Sequence, residues 1–266
     1  MPPDFRSITT LQHLGAGRFS TEVPDGWQQG RGAFGGLVVA VLARAMLQHE
    51  DDPGRALRVL TAELCGPTCA GPAEVLVDAL RRGNRVTTIA ARLVQGGEVA
   101  AHAVGVLARP RRNDVRWLGL TPPAPADWQR VAPAPPSRAF APVFTQWFEF
   151  RPDGPLPFSG AVRPAASGWI RLTQPGPVRD VPELAALIDA WWPAHFANSR
   201  APQPIATISF TLDVVSEATS IDRDAPLYHR GTVLSASEGY LVEQRELWSP
   251  AGELLAINTQ TVAVLA

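Results

Sequence analysis

Lysine is absent from the 266-residue chain; all 24 of its basic side chains are arginine. That absence excludes Schiff-base and lysine-general-base chemistry and leaves any grip on a phosphate to guanidinium groups. An excess of one charge is missing too. The 24 basic and 25 acidic residues give a net charge of −1 and a pI near 6.5, so no nucleic-acid partner is expected. Cysteine is scarce. Cys65 and Cys69 stand four apart with no second Cys/His pair at ligand spacing, which points to free thiols and to no metal site. Long apolar runs are lacking as well: the longest, residues 37–43, is far short of a bilayer span. The opening "MPPDFRSITT" has neither the basic nor the apolar block of a secretory signal. A cytoplasmic chain without a membrane span is the expectation.

What is present organises the chain into two similar halves. "RGAFGGLVVAVLARAMLQHE" (31–50) reads as a helix starting near Phe34 that is oily nearly all round, unlike a surface helix with a single apolar stripe. Four runs of strand character follow it, "RALRVLTAELC", "AEVLVDALRR", "RVTTIAARLVQ" and "EVAAHAVGVLARP", with Gly83-Asn84 and Gly96-Gly97 as hairpin signals. After a Pro/Ala-rich stretch the order repeats. "WFEFR" and "GWIRL" are extended, "DVPELAALIDAWWPAHF" is a helix with Asp180 as N-cap and Glu183 three residues on, and four more strands close the chain. "LTAEL" (60–64) lies over "FTLDV" (210–214) at an offset of 150, and "GEVAAHAVGVLA" (97–108) over "GELLAINTQTVA" (252–263) at 155. An internal duplication follows, with boundaries at 1–112 for the first unit, 113–142 for the linker and 143–266 for the second. An antiparallel sheet of five or six strands curled around one long helix would cover that helix on most sides. The fold class is therefore α+β, a double hotdog.

Several stretches resemble the type II acyl-CoA thioesterase family and its double-hotdog relatives. "AFGGLVVAVLARA" is similar to the family's glycine-rich start of the first central helix, and "GYLVEQRELWSPAGELLAINTQ" to part of its second half. The resemblance implies an acyl-CoA ligand, no cofactor, hydrolysis of the thioester by an activated water, and association into a homo-oligomer. It further implies a catalytic Asp, a Thr or Ser, and a Gln, all on the second hotdog. Gln260 matches the Gln. The Asp is expected two residues after the Thr of "ATI", where this chain has Ser209, and the hydroxyl just before "SAS", where it has Leu234 with Ser235 beside it. On this alignment the set is degenerate, and loss of general-base help typically costs about 10²–10⁴ in rate.

Other residues enter as candidates beside a plainer reading. Asp213 and Glu63 are carboxylates that could replace the base, or strand-end surface charges. Phe34, Gly35 and Gly36 open a helix whose free amides could hold an oxyanion, worth roughly 3–4 kcal/mol per donor; equally, the glycines could simply permit close packing. Arg81, Arg82 and Arg85 in "RRGNR" could hold coenzyme A phosphates or decorate a solvated turn. His102 and His229 read as structural or surface residues. Two functions stay open: an acyl-CoA thioesterase, or an acyl-CoA or lipid-binding protein without catalysis. A hotdog dehydratase would need a His paired with an Asp or Glu at family-like spacing, and none is evident.

Overall fold

The computed structural model describes residues 3–112, 114–135 and 141–265. The first half contains a short helix α1 (Phe5–Ile8), strands β1 (Gln12–Gly15) and β2 (Arg18–Val23), and a small hairpin of β3 (Gln28–Gln29) and β4 (Gly32–Ala33). Helix α2 (Gly35–His49) follows, then β5 (Ala56–Leu64), β6 (Gly71–Arg82), β7 (Val86–Gln95) and β8 (Glu98–Ala108). The second half contains β9 (Phe148–Pro152), β10 (Ala165–Leu172), helix α3 (Val181–Asp189), β11 (Ile205–Val214), β12 (Leu227–Ser237), β13 (Tyr240–Trp248) and β14 (Leu254–Val264). Twelve of these strands form one antiparallel sheet in the order β1-β2-β6-β7-β8-β5-β11-β14-β13-β12-β10-β9.

The order reads the same from either edge once the halves are matched, so the two curled sheets meet at the β5–β11 seam. There Thr61 faces Thr211, with Glu63 opposite Ser209 and Val59 opposite Asp213. Thr61 also faces Val104, and Thr211 faces Thr259, which reproduces both offsets, 150 and 155, of the sequence comparison. The irregularities repeat too. Register shifts lie between Leu57 and Val59 and again between Thr207 and Ser209, then between Ala79 and Arg81 and again between Val233 and Ser235. A bulge is a built feature of a strand pair, and its recurrence at matching places reinforces the duplication.

Helix α2 is buried without interruption from Gly36 to Met46, with sheet on one side and α3 on the other. Each fully buried side chain of the Leu37, Val39, Leu42 and Met46 kind contributes roughly 1.5–3 kcal/mol. The one charge in that stretch, Arg44, is neutralised rather than solvated. It pairs with Asp180 and donates to Thr9 Oγ1 at 3.1 Å. Asp180 is also the N-cap of α3, accepting from Glu183 N at 3.2 Å, and pairs with Arg6 at 3.0 Å. One carboxylate thus ties α1, α2 and α3 together.

Three expectations need correction. The second helix does not run through to Phe196; it stops at Asp189, and Pro193 is followed by a separate 3-10 turn, Ala194–Ala197, because proline cannot continue the hydrogen-bond ladder. Gly96 and Gly97 both have positive φ, as a tight primed turn demands, whereas Gly83 and Asn84 do not. The stretch expected as a linker, of which 113 and 136–140 lie outside the described residues, is a strap across the outer face of the second sheet. Trp169 Nε1 donates to Ala126 O at 2.9 Å, Arg151 Nη1 to Trp128 O and Val131 O, and the Trp128 ring lies under the guanidinium groups of Arg151 and Arg171. Cys65 and Cys69 are free and exposed, as their spacing suggests, and among the described residues no helix is long and apolar enough to cross a membrane.

Removing the Arg44 side chain would leave Asp180 at a helix junction with the exposed Arg6 as its one remaining charged partner among the described residues. Arg44→Ala is expected to lose about 3 kcal/mol of unfolding free energy, measured by urea denaturation; a loss below about 0.5 kcal/mol would contradict this role.

Candidate active site

The bulge in β11 decides which hydroxyl meets Gln260. Phe210 and Leu212 are buried, so their partners across the alternation, Ser209, Thr211 and Asp213, face away from the helices. Inserting one residue at Ile208 resets the phase, and Thr207 on the other side of the bulge turns inward. Thr207 Oγ1 donates to Gln260 Oε1 at 3.1 Å. Gln260 is completely buried. Its Nε2 donates to Asp189 Oδ1 at 2.7 Å and to Asn258 Oδ1 at 2.9 Å, and Asn258 Nδ2 donates in turn to Thr211 O at 2.8 Å. Every polar atom of the Gln260 amide is engaged, which fixes its orientation.

Asp189 is the last residue of α3, and it meets the first turn of α2. A Cβ added to Gly35 would sit 3.1 Å from Asp189 Oδ2, and one added to Gly36 would be 2.9 Å from Asp189 Cβ and 2.5 Å from the Phe34 ring. Gly36 requires glycine because the Phe34 ring and Asp189 occupy the space of a side chain, and at Gly35 a side chain would crowd the Asp189 carboxylate. The Gly35 and Gly36 amides have no hydrogen-bond acceptor among the described residues, whereas Leu37 N and Val38 N both donate to Phe34 O. Asp189 therefore lies at the positive end of α2, where anions are stabilised, and at the negative end of its own helix, where they are not. Its Oδ2 makes no hydrogen bond among the described residues. Phe34 is the N-cap of α2 and is fully buried, its ring stacked on Phe144 with centroids 4.2 Å apart.

The structure thus brings together Gln260, Gly35, Gly36 and Phe34, and leaves the expected serines elsewhere. Ser209 faces Glu63 and Thr261 on the outer side of the sheet. Ser235 faces Val242 beyond a second bulge and is exposed, as is Leu234. Neither Ser209, at the position expected for the Asp, nor Ser235, beside the position expected for the hydroxyl, makes a hydrogen bond to Gln260 among the described residues; each follows a register shift in its strand. Asp213 is exposed on the outer face, and Glu63 is half exposed and engaged by His102 Nδ1 at 2.9 Å. Neither carboxylate shares the interior with Gln260. That His102–Glu63 pair also sits on the outer surface, away from both helices, and so does not make a dehydratase site.

Arg82 is occupied at the opposite end of α2, donating to His49 O at 3.1 Å and Glu50 Oε1 at 3.2 Å. Fifteen helical residues separate that end from Gly35, about 21 Å at 1.5 Å per residue. Arg81 and Arg85 on the same turn are exposed and carry no ion pair among the described residues.

Asp189 and Thr207, the two residues hydrogen-bonded to Gln260 beside Asn258, were not singled out from the sequence. One signal for Asp189 was available: an acid shortly before the helix-ending "WWP" opposes the helix dipole and asks for a compensating partner. Thr207 had no such signal, since a bulge leaves no mark in the alternation itself. The first half lacks this set. Leu57 and Gly105 hold the places of Thr207 and Gln260 at offsets of 150 and 155. Met46 packs into the notch over Gly105, its sulfur 2.6 Å from where a Cβ would be. One polar centre therefore exists in a duplicated frame.

His229, completely buried on β12, stacks on Trp191 with centroids 5.1 Å apart and planes 8° apart. Neither ring nitrogen makes a well-formed hydrogen bond among the described residues. Burial, and then the nearby Arg245 charge, hold its pKa well below 6.5, so it is a neutral packing residue.

Comparison with known proteins adds a family. Residues 23–108 match the model of an acyl-CoA thioesterase N-terminal domain and residues 118–264 that of an acyl-CoA thioesterase C-terminal domain. Among solved structures, a hot dog fold protein from Alicyclobacillus acidocaldarius is 26% identical with a TM-score of 0.88, covering 98% of each chain. An acyl-CoA thioesterase II from Mycobacterium marinum is 18% identical with a TM-score of 0.74, again covering 98% of each chain. No curated protein matches the chain at a significant level.

The depressed His229 pKa has a definite sign. Below about pH 6.5 the unfolded chain binds a proton that the folded state refuses, so this contribution is complete above pH 6.5 and is lost as pH falls. His229→Phe should therefore gain on the wild type by about 1.4 kcal/mol per pH unit between pH 6 and 5. Parallel stability curves for the two proteins would contradict a buried neutral imidazole.

Proposed function

The chain belongs to the acyl-CoA thioesterase family, and we propose that it hydrolyses an acyl-CoA thioester at the centre formed by Asp189, Gln260 and Thr207. The observation that carries this reading is the unbroken hydrogen-bonded run Thr207–Gln260–Asp189 ending at the first turn of α2. It supplies an Asp, a Thr and a Gln from the second hotdog, the residue types that the resemblance implies, at positions other than those first assigned. The vacancy that favoured a non-catalytic binder is filled by Asp189.

In the proposed step, a water held between Asp189 Oδ2 and Thr207 attacks the thioester carbonyl carbon. Asp189 takes the water's proton as general base. Gln260 makes no proton transfer; it fixes both of its neighbours. The carbonyl oxygen, negative in the tetrahedral intermediate, faces the Gly35 and Gly36 amides, where backbone donors and the helix dipole stabilise it. Collapse breaks the C–S bond, coenzyme A leaves as thiolate and takes the proton, and the free acid remains. Arg81 and Arg85 are available to the phosphates of coenzyme A; Arg82 is held by Glu50 and His49.

Purified protein assayed with acyl-CoAs of graded length and a thiol reagent tests this. Wild type should release thiol, Asp189→Asn should lower kcat by about 10²–10⁴-fold, and Thr207→Val should lower it to a smaller degree. Ser209→Ala and Ser235→Ala should match wild type. An active Asp189→Asn protein, or a Ser209→Ala protein as impaired as Asp189→Asn is expected to be, would overturn the assignment.

A further inference from the structure

Asp189 occupies an electrostatically awkward place. The last carbonyls of α3 carry partial negative charge, and a second carboxylate, Glu243, lies completely buried on the neighbouring β13. One guanidinium stands among them. Arg245, 3% exposed, donates through Nε to Glu243 Oε1 at 2.8 Å. Its Nη1 spreads over the end of α3, reaching Asp189 O at 2.9 Å, Ile188 O at 3.3 Å, Asp189 Oδ1 at 3.4 Å and Trp191 O at 3.5 Å. Glu243 is fixed in turn, its Oε2 accepting from Ala194 N at 2.9 Å. Gly231 faces Arg245 across the β12–β13 pair, and a Cβ there would come within 3.1 Å of the His229 ring and 3.6 Å of Glu243 Oε1. An extended network therefore runs from Ala194 through Glu243 and Arg245 to Asp189, and on through Gln260 to Thr207.

We propose that Arg245, held by Glu243, is the positioning residue for Asp189. This role rests on the thioesterase reading given above. The shorter bonds go to the helix-end carbonyls and the longer one to the carboxylate, so Arg245 acts chiefly by pinning the end of α3. That pins Asp189 Oδ2 against Gly35 while Oδ1 is taken by Gln260. Catalytic geometry tolerates little slack: a shift near 1 Å in a reacting group costs about 10²-fold in rate. Arg245 touches neither the first turn of α2 nor the exposed arginines, so its loss should affect turnover and leave substrate binding alone.

The test compares wild type with Arg245→Met, Arg245→Lys and Glu243→Gln on one acyl-CoA that the wild type cleaves, with Tm measured alongside. Arg245→Met should lower kcat about 10²-fold while KM stays within about twofold, and Arg245→Lys should recover roughly a tenth of wild-type kcat or more, because an ammonium still reaches the carbonyls. Glu243→Gln, which keeps an acceptor for Nε, should lose about tenfold or less. If Arg245→Met does not fold, the other two variants carry the test through the same split between kcat and KM. A folded Arg245 variant with lowered Tm but unchanged kcat would overturn the positioning role and leave the thioesterase reading intact. Wild-type protein that releases no thiol from any acyl-CoA would remove that reading and this role together.

Discussion

The geometry of the centre depends on where two helices meet. The C-terminus of α3 abuts the N-terminus of α2, and Asp189 is the residue at the junction. Opposed helix ends place the negative pole of one beside the positive pole of the other, so a carboxylate there is repelled by its own helix and attracted by its neighbour. Asp180 does the corresponding work at the other end of α3, where it caps the helix and pairs with Arg44 of α2. A carboxylate thus marks each end of the contact between the helices, but their surroundings differ. Asp180 is bound to arginines and to a backbone amide, whereas Asp189 keeps one oxygen without a partner among the described residues.

Duplication explains why such a site can exist at all. Two curled sheets joined edge to edge at β5 and β11 close around a helix pair, so each half supplies what the other cannot. The first half contributes the glycine-started helix and the second the acid, the amide and the hydroxyl. The first half's own version of the polar centre is filled by Leu57, Met46 and Gly105. Burying an unpaired polar set costs more than burying apolar side chains, so a half-site without a function is better packed with a thioether and a leucine.

Much of the architecture was legible in the sequence. The all-round apolar character of residues 37–46 demanded a wrapped helix, and the repeated order of strands with offsets of 150 and 155 demanded two such units. The register of Thr61 and Thr211 agrees with both offsets. The site was legible only in part. Gln260 could be singled out because it matches the Gln that the family resemblance implies, and Gly35 and Gly36 because side-chain-free amides at a helix start can hold an anion. Asp189 was hidden inside a helix expected to continue to Phe196, and Thr207 by a bulge that alternation cannot reveal. In both cases the missing information was where a regular element stops being regular. Arg245 and Glu243, two residues apart on one inward strand face, drew no attention in the sequence; their role depends on how the sheet curls them over the end of α3.

The most direct measurement is a crystal structure of the Asp189→Asn protein with an acyl-CoA bound. The account predicts the thioester carbonyl oxygen facing the Gly35 and Gly36 amides, and a water held between Thr207 and residue 189 whose oxygen lies within about 3.5 Å of the carbonyl carbon. A thioester lodged elsewhere, whether on the outer face beside Ser209 or under the proline-rich strap, would contradict it.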